Sequence, residues 1–199
     1  MIAVVLFDLD GVIRHFDARD AAGIEERHGL RAGVLGEVAF SQPLLDDVTT
    51  GLITRAQWIH MIGDRIGNVV AASEWSRLRP SIDHEVLRLV DELRAEPVSA
   101  AVLTNGTDTI ATELAESGVA EHFDAIFNSA DIGYAKPDQK AFTHVLEALN
   151  CAAGEVFFTD DSPAKLSGAS KLGMPTHLFA GVPGLRAALR AAGVPCNCS

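Results

Sequence analysis

The stretch that decides the fold is the first dozen residues, Met1-Ile2-Ala3-Val4-Val5-Leu6-Phe7-Asp8-Leu9-Asp10-Gly11-Val12. Ala3–Phe7 is an unbroken apolar run rich in branched side chains, the pattern of a parallel strand covered on both faces. It ends on two carboxylates with a single residue between them, and alternate residues of an extended chain point to the same side. Asp8 and Asp10 can therefore share a cavity, one attacking while the other supplies and removes protons. Calcium loops also open on Asp-x-Asp-Gly. Here a strand precedes the motif and the position for a bidentate Glu is missing, which sets the EF-hand aside and leaves a solvated turn as the plain alternative. The run is too short to cross a membrane and lacks the basic flank and small-residue cleavage site of a signal peptide, so it reads as a strand of a cytoplasmic protein.

Four more runs of the same kind follow, at Ala100–Leu103, Ala125–Asn128, Val156–Thr159 and Thr176–Phe179. Each is preceded by a helical pattern. Val86, Leu87, Leu89, Val90 and Leu93 share one face, as do Phe142, Val145, Leu146 and Leu149. Gly118, Gly173 and Gly193 mark helix ends, and Pro137 and Pro163 mark helix starts. The alternation predicts an α/β fold, a Rossmann-like parallel sheet of about five strands flanked by helices. The rhythm fails once, because 93 residues lie between Asp10 and Thr104, where a βαβ unit needs only about 30. The insertion shows helical patterns around Ala18–Arg27, Gly33–Phe40, Thr54–Ile66 and Ala72–Leu78 and no convincing strand. It predicts a small all-helical cap over 14–81, with the catalytic core formed by 1–13 and 82–199.

Composition bounds the function. Over 199 residues, 48% are hydrophobic and 22% charged, an ordinary globular balance. The formal net charge of −11 repels nucleic acid and anionic lipid, so no partner of either kind is expected, and any anionic substrate needs local cations or a metal. Cys151, Cys196 and Cys198 are too few for a disulfide framework, and Cys196 and Cys198 fall short of a four-ligand metal site, reading as part of a frayed tail. The oligomeric state is not legible.

Ligands of open α/β sheets collect at the carboxyl ends of strands, and there the chemistry is concentrated. Leu103-Thr104-Asn105-Gly106-Thr107 offers hydroxyl, amide and backbone N–H groups at the start of a helix, an anion site that an ordinary helix cap resembles. Lys136-Pro137 puts a cation just outside another helix start, against the helix dipole, which implies an anionic group opposite it. Thr159-Asp160-Asp161-Ser162-Pro163 sets two carboxylates at the end of a buried strand, which is costly without a cation, and a hard oxygen-seeking ion such as magnesium suits them.

In this order and at these strand ends the four segments resemble the haloacid dehalogenase superfamily of phosphohydrolases, over nearly the whole chain. DLDGV at 8–12 resembles its nucleophile motif, LTNG at 103–106 its second, Lys136-Pro137 its third and TDDSPAKLSGA at 159–169 its metal-binding fourth. The inserted helices resemble the small cap of the subgroup that carries it after the first motif. The resemblance implies that Asp8 forms an aspartyl phosphate and that Asp10 acts as acid and base. It further implies that Thr104, Asn105 and Gly106 with Lys136 hold the phosphate. Magnesium would sit on Asp8, the Asp10 carbonyl and Asp161, with Asp160 acting through water.

The substrate class it suggests is a small phosphate ester, such as a sugar phosphate. Arg14 and His15, close behind the nucleophile, and Trp58 in the cap are candidate substrate contacts, with hinge or packing roles as the alternative. Phosphomutase, metal-free haloacid dehalogenase and a catalytically weak binding module are the competing readings; Asp10 and the acidic pair speak against the dehalogenase. One position departs from the family pattern. Lys165 stands where asparagine usually follows the second aspartate by four residues, and it is expected either to compete with magnesium or to snorkel to solvent.

Overall fold

The computed structural model describes residues 1–195, so Cys196 and Cys198 lie outside the described residues. Five strands, β1 (Val4–Phe7), β4 (Ser99–Thr104), β5 (Ala125–Asn128), β6 (Val156–Asp160) and β7 (Thr176–Leu178), form one sheet. Its order is β5-β4-β1-β6-β7, and every neighbouring pair is parallel. The first strand of the chain is thus central. Since the connection direction reverses on either side of it, its carboxyl end is the switch point where α/β sheets gather ligands.

The pleat divides the core. Val5 and Phe7 face one layer, with Val86, Leu89 and Leu93 of α6 (His84–Arg94), Ile110 and Leu114 of α7 (Ile110–Glu116) and Leu185 and Leu189 of α11 (Val182–Ala191). Val4 and Leu6 face the other, with Phe142 and Val145 of α9 (Gln139–Leu149) and Ala169 of α10 (Pro163–Lys171). A short α8 (Ser129–Ile132) follows β5. Burial on both faces is what the continuous apolar runs required.

A third apolar cluster comes entirely from the inserted segment, around Ile24, Leu35, Leu44, Trp58 and Ile62. It is built by α1 (Ala18–Arg27), α2 (Val34–Ala39), α3 (Leu44–Thr49), α4 (Arg55–Ile66) and α5 (Val69–Trp75). Three local expectations change here. The segment is bounded by a two-residue antiparallel ribbon, β2 (Arg14–His15) with β3 (Ser81–Ile82), which ties its entry to its exit. Two residues are too few to show a period. α3 was also illegible, a six-residue helix directly after Pro43. α5 begins at Val69, three residues before Ala72, because Asn68 caps it by accepting from the Ala71 N–H.

The described elements position α10 tightly. A Cβ at Gly168 would overlap the Pro137 carbonyl oxygen and crowd the Phe142 ring, so the helix can rest on the loop carrying Lys136 only because residue 168 has no side chain. Gly168→Ala is expected to cost about 1–3 kcal/mol by overpacking and to displace that loop; unaltered denaturant midpoints would contradict this. Among the described residues, no helix is long and apolar enough to cross a membrane.

Candidate active site

The carboxyl ends of β1, β4 and β6 and the loop before α9 converge. Asp8 is buried, with 1% of its side chain exposed, and its backbone N–H donates to the Thr159 carbonyl at 2.9 Å, which locks the end of β1 to β6. Lys136 answers the question raised by its unfavourable place near a helix start. Its ammonium, wholly buried, donates to Asp8 Oδ1 at 2.7 Å and to Asp160 Oδ2 at 2.8 Å. Burial alone would raise the Asp8 carboxyl, but Lys136 and Lys165 outweigh it and hold it below the ordinary carboxylate value. Asp160 moves the other way, raised by burial and by the negative charge of Asp8 against the pull of the two lysines.

The two residues of the acidic pair have different surroundings. Asp160 ends β6 with both oxygens engaged, Oδ2 by Lys136 and Oδ1 by the Ser162 N–H at 2.9 Å. Asp161 is exposed, and its carboxylate lies directly against Gly11, where a Cβ would overlap it. Gly11 has φ +90°, a conformation that disfavours a side chain in any case. Asp8, Asp160 and Asp161 can each offer an oxygen so that all lie within 4.8 Å of one another. Three hard carboxylate donors, with Asp161 seated where the missing Cβ of Gly11 leaves it room, fit a magnesium ion.

The phosphate-binding expectation changes in detail. Helix α7 begins at Ile110 and not at Thr107, so a loop separates Thr104 from the helix start. Thr104 is buried at the end of β4. The Asn105 side chain is already paired on both atoms, its Nδ2 donating to the Lys136 carbonyl and its Oδ1 accepting from the Lys136 N–H, each at 2.8 Å. It therefore clamps the Lys136 backbone. Similarly, the Gly106 N–H donates to Ser129 Oγ at 3.1 Å. These pairings occupy the Gly106 N–H and one of the two hydrogens on Asn105 Nδ2.

Asp10 lies at the mouth and accepts from the Arg14 guanidinium on both oxygens. Arg14, expected as a substrate contact, is buried between Asp10 and Glu113, to which its Nη1 donates at 2.8 Å. Glu113 also accepts from Thr109 Oγ1 at 2.6 Å and stands 3.8 Å from Arg55 of the inserted segment. The sequence offered no sign of Glu113 beyond a polar position in an amphipathic helix. His15 lies 3.6 Å from Asp83 across the β2–β3 ribbon. Trp58 is a packing residue, buried in the third cluster with its Nε1 donating to the Ala39 carbonyl. Among the described residues, neither has a hydrogen bond or ion pair to Asp8.

Comparison with known proteins bears on the fold and the family. A rat protein, bifunctional epoxide hydrolase 2 (Rattus norvegicus), is 26% identical over 208 residues, covering 89% of this chain. The chain spans only 36% of that protein's length. Phosphatase MT3486 of Mycobacterium tuberculosis is 27% identical over 201 residues, covering 89% of this chain and 87% of that one. Among solved structures, a haloacid dehalogenase family enzyme of Bacteroides thetaiotaomicron in complex with magnesium and inorganic phosphate superposes with a TM-score of 0.75. It is 24% identical and covers 92% of this chain and 96% of its own. A family model described as haloacid dehalogenase-like hydrolase matches residues 2–173. With that match spanning all four strand-end motifs, the chain belongs to the haloacid dehalogenase-like hydrolase family.

Proposed function

We propose that the protein is a magnesium-dependent phosphatase acting on a small phosphate ester through a covalent intermediate on Asp8. The observation that carries this reading is the buried Asp8 carboxylate, kept ionised by Lys136 beside an exposed Asp161 oxygen. The relatives that are phosphatases, and the magnesium and phosphate in the Bacteroides enzyme, support it. In this reading 14–81 is a cap over a core of 1–13 and 82–199, and its small size is the reason for assigning a small substrate.

Asp8 attacks phosphorus in line, and the bond to the leaving oxygen breaks as Asp10 delivers a proton to it. Water then attacks the aspartyl phosphate, Asp10 takes the water's proton, and inorganic phosphate leaves with Asp8 restored. Lys136 neutralises the nucleophile and the transferring group; Thr104 contributes a hydroxyl to the phosphate. Arg14 orients the Asp10 carboxylate, and Asn105 positions Lys136. Asp8, the Asp10 carbonyl and Asp161 would hold magnesium, with Asp160 behind them. When bound, the ion neutralises charge on the phosphoryl oxygens and helps align them. It also supplies, with the lysines, the local positive field that a chain of net charge −11 needs to accept a phosphate.

Turnover of p-nitrophenyl phosphate with magnesium is the direct test. The expected result is release of inorganic phosphate that falls to background on chelation with EDTA and returns when magnesium is restored. Failure to hydrolyse any of a panel of phosphorylated metabolites would overturn the reading. Transfer of the phosphoryl group to a second position of a sugar phosphate, with none released, would favour a mutase.

A further inference from the structure

We propose that Lys165 is an internal cation that pairs with Asp8 and lowers the affinity of the site for magnesium. The inference rests on the metal reading above and concerns this chain's own departure from the family pattern.

Lys165 is the third residue of α10, directly after Pro163 and Ala164. The positive end of the helix dipole disfavours an ammonium in that first turn, so an opposing attraction must hold it inward. Its Nζ donates to Asp8 Oδ2 at 3.1 Å and lies 3.9 Å from Asp160 Oδ1. Asp8 is thus bracketed, Lys136 on Oδ1 and Lys165 on Oδ2. Each Asp8 oxygen has an ammonium on it, which uses part of its accepting capacity and places a positive charge next to any cation that approaches. A magnesium ion drawn to the site would meet the Lys165 charge, and Lys165 is the freer of the two cations, since Lys136 is wholly buried and its backbone is clamped by Asn105. Lys165 can withdraw, because its side chain is 29% exposed.

The charge balance points the same way. Three carboxylates, Asp8, Asp160 and Asp161, face two ammoniums, Lys136 and Lys165. A neutral asparagine at 165 would leave the site one unit more negative and correspondingly more attractive to a dication. Two charges a few ångströms apart near a protein surface interact by a few kcal/mol, less what is recovered when the flexible lysine moves to water. A tenfold change in Kd needs only about 1.4 kcal/mol, well within that range.

Titration calorimetry with magnesium alone, on the full chain freed of metal, separates the possibilities. Relative to the parent protein, both Lys165→Met and Lys165→Asn are expected to bind magnesium about tenfold more tightly, since both remove the charge. Lys165→Met offers no new oxygen ligand, so tightening in Lys165→Asn alone would show that the gain comes from the amide and would overturn charge competition. Unchanged or weaker affinity in both variants, with binding in the parent still abolished by Asp161→Asn, would also overturn it while leaving the metal site intact. Absence of a binding heat in the parent and in both variants, together with no magnesium-dependent rise in thermal stability, would overturn the metal reading and this inference with it.

Discussion

Lys136→Met lowers folding stability by up to about 3–5 kcal/mol near neutral pH, the cost of leaving two buried carboxylates with only the partly exposed Lys165 as cation, and the deficit shrinks as the solution is acidified. Methionine matches the lysine stem in length, so the loss comes from charge and hydrogen bonding more than from a cavity. Lys136 is the shared donor to Asp8 and Asp160, both of which are buried. Asp8, held below its ordinary value, contributes stability that is fully present above the unfolded carboxyl pKa and is lost as pH falls through the lowered one. Without Lys136 that depression largely disappears. Asp160, already raised by burial and by Asp8, is driven further up by the same substitution, so at neutral pH it must either take a proton or stay charged with only Lys165 and the Ser162 N–H beside it. Both effects are largest at neutral pH and vanish once the carboxyls are protonated. Denaturant unfolding of parent and variant at about pH 7 and at about pH 2, below the ordinary carboxyl value, measures the difference. A deficit that is equal at the two values would mean the loss is packing, and the electrostatic account would fall. The same substitution is expected to reduce kcat by about two to three orders of magnitude through loss of transition-state charge stabilisation.

How much of this was legible in the chain follows from the length scale of each signal. The central strands β1, β4 and β6 were readable because each is buried on both faces, and double burial forces a continuous apolar run; the edge strands β5 and β7 are only partly buried and were read from their place in the strand–helix alternation. Lys136 was readable for the opposite reason: it violates a local rule, sitting beside a helix start where a cation is unfavourable, and violations mark function. The β2–β3 ribbon and α3 were not readable, since two residues show no period and six barely complete a turn and a half. Arg14 and Asn105 fell between these cases. Their residue types suggest ligand contact, yet each is engaged by partners distant in sequence, Glu113 at 99 residues and Lys136 at 31. A motif gives the identity of a side chain and its strand end. It does not say whether its hydrogen-bonding capacity has been taken by the protein itself. Lys165 shows the converse, a residue whose conflict with a family pattern was visible in sequence while its target, Asp8 Oδ2, needed the fold.

Asp8→Asn is expected to abolish turnover, by at least about four orders of magnitude, the scale on which losing an essential nucleophile is felt, while leaving the chain folded. Asparagine keeps the size of the side chain and an oxygen that can still accept from Lys136, and Asp160 remains as that lysine's second partner. Its amide has no attacking oxygen of comparable nucleophilicity. Asp8 is, however, proposed both as nucleophile and as metal ligand, and loss of either role would lower the rate. The two are separated by raising magnesium. A variant crippled only in metal binding recovers activity as the ion approaches saturation; one without its nucleophile stays inactive at every concentration. Chemical trapping gives the positive counterpart, since borohydride added to the parent enzyme during turnover reduces an acyl phosphate to an alcohol and marks residue 8 in the mass spectrum. An Asp8→Asn protein that regains more than about a hundredth of parental kcat in excess magnesium, with no mark at residue 8 in the parent, would falsify the covalent route. The remaining scheme would be direct attack by water, in which the buried pairing of Asp8 with Lys136 serves to hold charge in place and not to expose an attacking oxygen.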